Sequence, residues 1–241
     1  GSIVRVGAPL NGFFFYESQG IYQAENQIPV DPKTGKKLVG LQNKKLEVGD
    51  RNFSDQNGDY LIDVSDRVYS GDPNPKWNGG WTNDFTYKGF SLNLVTTFVI
   101  GRDIVNTALL DRLKLGKGFA GSSSLPDFDK YSIWEKSGDN AKYPTLNPWS
   151  DATQVINYDS EYIEDGSYFK IRSATLSYTF NKRVIQRLPF ERMRVYVTAD
   201  NLATFQKYSG PDAELITIDG FDDSKGYPMR RMLLFGVSIS L

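Results

Sequence analysis

Two adjacent segments of the chain, residues 76–88 and 90–100, alternate between apolar and polar side chains on either side of a Lys88-Gly89 pair. Successive side chains of a β-strand point to opposite faces, so a repeat of two residues predicts two strands, each with one apolar face. The Lys-Gly pair between them predicts a two-residue turn. The stretch is therefore a predicted hairpin with one apolar face and one polar face.

The length of the second strand indicates what the apolar face contacts. A strand that crosses a membrane needs about 9–11 residues, with aromatic rings near its ends. Residues 90–100 have that length, with Phe90 at the start, Phe98 near the end and small polar residues on the opposite face. This pattern favours a strand of a transmembrane β-barrel. A half-exposed hairpin of a soluble β-sandwich is the alternative, because a period of two does not distinguish lipid from a protein core.

The composition is compatible with a barrel and excludes several other classes of protein. The mean hydropathy is −0.43, and no apolar run approaches the length of a membrane-spanning helix, about 18 residues. Barrel strands, by contrast, place half of their side chains in a polar lumen. The net charge is −1 and the basic residues are scattered, which indicates no nucleic-acid surface. The chain contains neither Cys nor His, so thiol catalysis, Ser-His-Asp catalysis and thiolate or His-ligated zinc are unavailable within it, and we expect no enzyme.

Four further segments carry strand patterns, which makes six predicted strands in total. They are residues 13–22, 166–180, 192–205 and 231–241. The clearest alternation places Leu176 and Tyr178 opposite Thr175 and Ser177. Between the third and fourth predicted strands, the spacing within residues 104–115 predicts a short helix.

The connections between these strands alternate in length. Those after the first, third and fifth strands are long, at residues 23–76, 101–162 and 206–230, while those after the second and fourth are short. Outer-membrane barrels have short periplasmic turns and long external loops. The sequence therefore predicts three extracellular loops and a C-terminus on the periplasmic side.

Six strands are too few for a closed barrel, since the smallest bacterial barrels have about eight. An open sheet edge is not stable in lipid, because its backbone N–H and C=O groups would lack partners. The first 18 residues also lack the apolar core of a signal peptide. We therefore expect residues 1–241 to be the C-terminal part of a larger all-β barrel, an arc of about six antiparallel strands that meets further strands from outside the chain.

Four segments also carry a family resemblance, in order and over nearly the whole chain. They are residues 6–23, 53–92, 162–180 and 193–214. The most specific pieces are the GDPNPKW run at 71–77, the run at 162–172 and the DNL triplet at 200–202. In these segments the chain resembles the SusC/RagA family of TonB-dependent outer-membrane transporters.

The resemblance implies a barrel of about 22 strands with an internal plug domain in the bacterial outer membrane. A SusD-like surface lipoprotein would close over the barrel, and import of oligosaccharides or peptides would be powered through TonB. The plug and the segment that contacts TonB would lie outside residues 1–241. One departure from the family is Leu241, because such barrels commonly end in Phe.

Residues 55–66 have the oxygen spacing of an EF-hand loop. The candidate ligands at loop positions 1, 3, 5, 7, 9 and 12 are Asp55, Asn57, Asp59, the carbonyl of Leu61, Asp63 and Asp66. Ca²⁺ takes oxygen ligands at this spacing. Position 6, normally Gly because φ is positive there, is Tyr60, and position 12 is Asp66 rather than the longer Glu. The sequence predicts a weak, structural Ca²⁺ site, with a plain acidic turn as the alternative.

Three aromatic residues in the second long connection, Trp134, Tyr143 and Trp149, are candidates for substrate contact, because indole and phenol rings stack on sugar faces. A loop of this length also needs a core of its own, so packing of these rings within the loop or onto the lipoprotein is the alternative. Arg194 and Asp200 fall on the lumen face of the fifth predicted strand, where they would line the pathway or pair with the plug.

Two functions from different classes follow from these patterns. The first is part of an outer-membrane nutrient importer, and the second is a secreted, calcium-stabilised carbohydrate-binding β-sandwich. The structures differ, because a sandwich packs two sheets face to face around a dry core, whereas a barrel wall is one sheet with an exposed apolar face.

Overall fold

The computed structural model describes residues 6–117, 130–145, 157–186, 189–223 and 226–240. The chain folds into two compact units, each built from segments that are distant in sequence. The loop unit comprises Gly1–Pro73, Ile104–Glu164 and Ile216–Ser224, and the sheet unit comprises Asn74–Asp103, Asp165–Leu215 and Lys225–Leu241.

Strands account for most of the regular structure in these ranges. In chain order they are β1 (Phe13–Tyr16), β2 (Ser18–Ile21), β3 (Val39–Gly40), β4 (Lys44–Lys45), β5 (Arg51–Phe53), β6 (Arg67–Gly71), β7 (Trp77–Tyr87), β8 (Phe90–Ile100), β9 (Asp103–Val105), β10 (Ile163–Asp165), β11 (Tyr168–Thr179), β12 (Arg192–Gln206) and β13 (Met232–Ser240). The α-helices are α1 (Thr107–Lys117) and α2 (Lys182–Ile185), and single 3-10 turns lie at Glu25–Gln27, Leu41–Asn43, Val64–Asp66 and Ser160–Tyr162. No helix in the described ranges is long and apolar enough to cross a membrane.

The sheet unit is one antiparallel sheet in the order β7-β8-β11-β12-β13, so each strand pairs with its neighbour in the unit's sequence. The β7–β8 hairpin turns at Lys88 and Gly89, whose φ angles of 45° and 90° are both positive, as a type I′ turn requires. The pairing of β11 shifts between Ile171 and Ser173, which is a β-bulge. Long strands in up-and-down order are the architecture of an up-and-down barrel wall.

The predicted strands of the sheet unit are confirmed, but the first predicted strand, residues 13–22, is wrong as a wall strand. The segment divides into β1 and β2, which pair with β6 and β5 in the loop unit. All four residues of β1 are buried, so both faces of this strand are covered, whereas a wall strand alternates. Within the described residues the sheet therefore has five long strands rather than six, and the all-β class with a barrel-arc sheet stands.

The β-sandwich alternative is also wrong. The five long strands form a single sheet, and within the described ranges the other sheets have two short strands each. A sandwich would bury the apolar face of the long sheet against a second sheet of similar size. Many side chains of that face are instead exposed in the part of the chain that the structure describes.

The loop unit has a hydrophobic core of its own. Its largest cluster of buried side chains comprises Tyr16, Tyr22, Ile28, Leu38, Leu46, Phe53 and Ile62. A second cluster packs Leu109, Leu110 and Leu113 of α1 against Tyr143 and Tyr162. The described parts of the first two long connections therefore fold with packing of their own.

Helix α1 occupies most of the region where the sequence predicts a short helix. It begins after Asn106, whose side-chain oxygen accepts the backbone N–H of Leu109 at 2.9 Å and so caps the first turn. Ile104 and Ala108, two of the residues whose spacing predicts the helix, are both buried. The apolar spacing in this segment therefore reflects the burial of these side chains within the loop unit.

Candidate functional site

One face of the sheet unit is apolar and exposed. A row across all five strands is formed by successive register partners, namely Phe85, Leu92, Leu176, Val197 and Phe235. Phe85 is 60% exposed and Phe235 is 73% exposed. A contiguous apolar surface of this kind marks contact with a membrane or a partner. The face assigned to lipid from the alternation is the face that is exposed among the described residues.

Aromatic rings lie at both ends of this apolar face. Near the hairpin turn, the ring centroids of Phe90 and Tyr178 are 4.6 Å apart. Toward the long connections, Trp81 stacks on Phe98 at 5.0 Å and lies 6.5 Å from Phe169. At about 3.3 Å per residue, the strand from Phe90 to Phe98 covers roughly 26 Å before any tilt. That length matches the apolar band of outer-membrane barrels, about 25 Å between two aromatic girdles.

The opposite face of the sheet is polar and hydrogen-bonded between strands. Asn93 Nδ2 donates to Asp84 Oδ1 at 2.8 Å, linking β8 to β7. The hydroxyls of Thr175 and Thr198 lie 2.9 Å apart and link β11 to β12. Side chains of this kind suit a water-filled interior.

The two charged residues predicted on the polar face lie on it. Asp200 Oδ1 accepts a hydrogen bond from Ser173 Oγ at 2.9 Å. The guanidinium carbon of Arg194 is 6.0 Å from the centre of the Tyr196 ring. Tyr196 in turn lies over Gly236 of β13, where an added Cβ would be 2.2 Å from the ring. The glycine therefore makes room for a large ring on the polar face.

An ion-pair network joins β11 to the segment that follows β12. Lys170 Nζ lies 2.6 Å from Asp212 Oδ1 and 2.7 Å from Glu214 Oε2, and Arg172 also pairs with Glu214. Lys170 is buried. Burial alone would raise the pKa of Glu214, but hydrogen bonds from Arg172 and Lys170 outweigh it and the net pKa shift is downward. The network holds residues 207–215 against the end of the polar face.

Sequence reasoning missed this network because its partners are far apart in the chain. Lys170 and Asp212 are separated by 42 residues. The available signal was the pair of cations at Lys170 and Arg172, near the end of a strand whose inward face is otherwise small and polar. Two such cations on a barrel wall require acidic partners.

The loop unit contains a separate buried ion pair. Arg51 Nε lies 2.9 Å from Asp159 Oδ2, and Arg51 Nη1 donates to the carbonyl of Lys142 at 2.9 Å. Burial raises the pKa of the Asp159 carboxyl, and the adjacent Arg51 opposes that rise. Burial also raises the pKa of Tyr143, in the same region, to about 12, so its phenol stays neutral. The pair connects three segments that are distant in sequence.

The predicted Ca²⁺ loop folds as a series of turns between side chains and backbone. The carboxylate of Asp55 accepts the N–H groups of Gly58 and Tyr60 at 2.7 and 2.9 Å. Asn57 and Asp59 each accept the N–H two residues further on. Tyr60 has a φ of 62°, so position 6 adopts the positive φ that the EF-hand spacing requires even without glycine.

The second half of the loop is anchored by Asp66, which is fully buried. Its two oxygens accept the N–H groups of Gln56 and Asp63 at 2.9 and 2.8 Å, and Asp63 accepts the N–H of Ser65. Leu61, whose backbone carbonyl is the candidate ligand at position 7, forms an isolated β-bridge with a residue of β3. Within the described ranges, Asp, Glu, His or Cys side chains nowhere gather in a group of three that would hold a metal. Calcium binding by this loop stays a prediction.

The three aromatic residues predicted to contact substrate have different surroundings. Trp134 Nε1 donates to Gln23 Oε1 at 3.0 Å. Tyr143 is buried, and its ring stacks on Tyr162 with centroids 6.0 Å apart. Trp149 lies outside the described residues. The contacts of Trp134 and Tyr143 are those of packing within the loop, which is the alternative that the sequence leaves open. Substrate contact by the three aromatic residues stays a prediction.

An up-and-down antiparallel sheet, apolar and ringed by aromatics on one face and polar on the other, defines the wall of a transmembrane β-barrel. No protein-family model matches the chain. TonB-dependent receptor P3 of Formosa agariphila is 31% identical over 212 residues, which are 88% of this chain and 19% of that protein. TonB-dependent receptor P39 of the same organism is 30% identical over 203 residues, again 19% of its length. The chain belongs to the TonB-dependent receptor family, and it spans about a fifth of the length of these relatives.

Solved structures give the same fold. A structure of the RagAB peptide transporter is 20% identical and covers 99% of this chain and 23% of its own, with a TM-score of 0.69. The RagAB peptide importer in its closed-closed state gives a TM-score of 0.66 at 20% identity, over 99% of this chain and 24% of that one. This fold agrees with the SusC/RagA resemblance. TonB-dependent receptors reside in the outer membrane, which is therefore the location of this chain.

Proposed function

We propose that the chain forms part of the wall and outer loops of an energy-coupled importer in the bacterial outer membrane. The observation that carries the proposal is the apolar row across β7 to β13 with a polar, hydrogen-bonded face behind it, in a member of the TonB-dependent receptor family. In this proposal residues 1–241 are the C-terminal part of the barrel, and residues 23–76, 101–162 and 206–230 are extracellular. Other strands of the same receptor close the outer edges of β7 and β13, because open edges are not stable in lipid.

The proposed cargo is an oligosaccharide or a peptide, held between the barrel, a plug supplied by the rest of the receptor and a SusD-like surface lipoprotein. TonB would supply the energy through the part of the receptor outside this chain. The RagAB structures of the same fold are described as a peptide importer, which supports a cargo of this size. The role is transport rather than catalysis.

Deletion of the gene for the complete receptor tests the import function. We expect growth on the receptor's cargo, and uptake of a labelled peptide or oligosaccharide pool, to fall to the level of a strain without TonB. A surface lipoprotein should copurify with the tagged receptor. Unchanged uptake in both strains would contradict the proposal.

The orientation of the loops has a direct test, because the chain contains no cysteine. Lys136 lies in a proposed outer loop, Lys182 lies in the short connection after β11, and both are exposed. In a complete receptor free of other reactive thiols, Lys136→Cys should react with a membrane-impermeant maleimide on intact cells. Lys182→Cys should react only after the outer membrane is permeabilised, and the reverse pattern would invert the orientation.

Calcium binding at residues 55–66 is a second part of the proposal, with a structural role. The ion would hold the loop in one shape where a lipoprotein could dock. Titration of the complete receptor with CaCl₂ should release heat that the Asp55→Asn, Asp59→Asn double variant lacks, with a dissociation constant of roughly 10⁻⁴–10⁻³ M. Identical heats for the two proteins would end the idea.

A further inference from the structure

Arg67, at the start of β6, has an unusual environment in the loop unit. Its guanidinium carbon lies 4.9 Å from the centre of the Tyr16 ring and 4.4 Å from the centre of the Tyr158 ring. Its Nε is buried and has no hydrogen-bond partner among the described residues, and no described carboxylate forms an ion pair with it. The aromatic rings attract the charge but provide no strong acceptor for the N–H groups.

A comparison with Arg51 shows what is absent around Arg67. Arg51, on β5 of the same unit, has its Nε 2.9 Å from an oxygen of Asp159 and donates from Nη1 to a backbone carbonyl, while its Nε and Nη2 form no hydrogen bond of good geometry. Arginine remains charged in proteins, and a buried N–H without an acceptor destabilises the folded state. The fold supplies Arg51 with a carboxylate, and none of the described carboxylates pairs with Arg67, so an anionic partner for Arg67 is expected from outside the described residues.

Arg67 borders a cavity of about 390 Å³. The cavity has an apolar wall formed by Leu41, Ile62 and Val64, and the amide side chains of Gln42 and Asn157 also line it. This volume lies within the range of ligand pockets, and a few polar groups on an apolar wall are typical of them.

Two lining residues other than glycine have positive φ, 60° at Gln42 and 69° at Tyr158. Such backbone conformations cost free energy and cluster at ligand sites. Asp63 also lines the cavity, and its Oδ1 accepts the N–H of Ser65. One cation without a carboxylate partner, flanked by two phenol rings, is therefore the main recognition element of the cavity.

We propose that this cavity binds a carboxylate of the imported cargo, with Arg67 as its partner. A guanidinium binds a carboxylate through two parallel N–H···O hydrogen bonds, and Arg67 is a lining residue of the cavity. The carboxylate belongs to the C-terminus of a peptide or to a uronate of an oligosaccharide, and the apolar wall takes the adjoining side chain or sugar ring. This inference rests on the proposed import function.

Binding to the complete receptor with its copurified lipoprotein tests the proposal with two matched pairs of probes. One pair is a hexapeptide with a free C-terminal carboxylate and its C-terminal amide, and the other is a galacturonate trimer and its neutral methyl ester. We expect the acid of one pair to bind about 10- to 100-fold more tightly than its neutral twin. The pair that shows this difference identifies the source of the carboxylate.

The variant Arg67→Gln should abolish the difference by weakening the acid alone, and Arg67→Lys should restore only part of it because an ammonium lacks the two-pronged geometry. The control Arg112→Gln removes the same charge from an exposed position of α1 and should keep the full difference. A cryo-EM map of the wild-type receptor with the tighter acid should place its carboxylate within hydrogen-bond distance of Arg67, whatever the stability of the variants.

Several results would overturn the assignment. They are equal affinity for the acid and neutral members of both pairs, no binding of either acid, an equal loss for both members in Arg67→Gln, or a carboxylate bound elsewhere in the map. If deletion of the receptor still abolishes TonB-dependent uptake, only the Arg67 site is wrong. If deletion leaves uptake unchanged, the import function itself fails.

Discussion

The loop unit and the sheet unit use the same apolar residue types in opposite ways. Phe13, Phe15 and Tyr22 of the loop unit are almost fully buried, whereas Phe85 and Phe235 of the sheet project from an uncovered face. The loop unit must exclude water with its own side chains, as any water-exposed fold does. On the apolar face of the sheet, lipid excludes the water instead. The exposed fractions of apolar side chains within the chain therefore reflect hydrophobic stabilisation in the loop unit. They do not reflect it in the sheet unit, where lipid covers the apolar face.

The largest expected effect comes from removing a ring that the loop unit buries. Phe15→Ala should destabilise the loop unit by about 3–5 kcal/mol, because it removes a fully packed ring and leaves a cavity. The matched Phe85→Ala, on the exposed face of the sheet, should leave the loop unit unchanged. Hydrogen exchange of the loop segments in the complete receptor measures both. Equal protection in the two variants would remove the contrast between the units.

A charge on the apolar row sharpens the same comparison from the side of the sheet. Leu176→Arg, near the middle of the apolar face, should cost about 2–4 kcal/mol in a bilayer, because a cation is placed in hydrocarbon. The adjacent Thr175→Arg points to the polar face and should cost much less. The urea midpoint of the receptor in liposomes reports the difference. Similar losses at the two positions would contradict the difference between the faces, and a larger loss for Thr175→Arg would mean that the faces have been assigned to the wrong sides.

Close packing on the polar face predicts a smaller effect. Gly236→Ala should cost about 1–3 kcal/mol, because the added Cβ would collide with the Tyr196 ring and force it to move. Ser238→Ala, two residues further along β13, is the control and should be nearly neutral. The same urea titration measures this change. An unchanged urea midpoint for Gly236→Ala would show that the Tyr196 ring can adopt another position without loss of stability.

The smallest expected effect is the pH dependence of the segment that Lys170 and Arg172 hold. The pKa of Glu214 is lowered from its ordinary value of 4.5, so its pairing stabilises this segment fully above that pH. The stabilisation is lost as the pH falls through the lowered pKa. Hydrogen exchange of residues 207–215, corrected for its intrinsic pH dependence, should increase in that acid range. Glu214→Gln should remove the transition, and a transition that persists would have another origin.

The sequence predicted the parts of the molecule that depend on local alternation. The strands of the sheet unit, their faces and the hairpin at Lys88 follow from a period of two residues. Residues 13–22 have strand propensity as well, but their partners decide where they pair, and β6 lies about 50 residues away in sequence. Contacts of this range carry no local signal.

The same limit applies to the candidate site. The positive φ expected at Tyr60 was predictable, because it follows from the position of this residue in a short motif. The contact of Arg67 with Tyr158 was not, since the two residues belong to segments that only the fold brings together. Ion pairs and cavities in the loop unit therefore required the structure.

The bulge in β11 has a consequence for the rim of the wall. On one side of it, Leu176 and its even-numbered neighbours point outward, and on the other side the odd-numbered Phe169 does. One supernumerary residue therefore flips the parity of the strand, which turns an aromatic side chain toward the bilayer and Lys170 toward its acids. Deleting that single residue would exchange the directions of these two side chains. Lys170 would then face hydrocarbon, and the carboxylates of residues 207–215 would lose this cation.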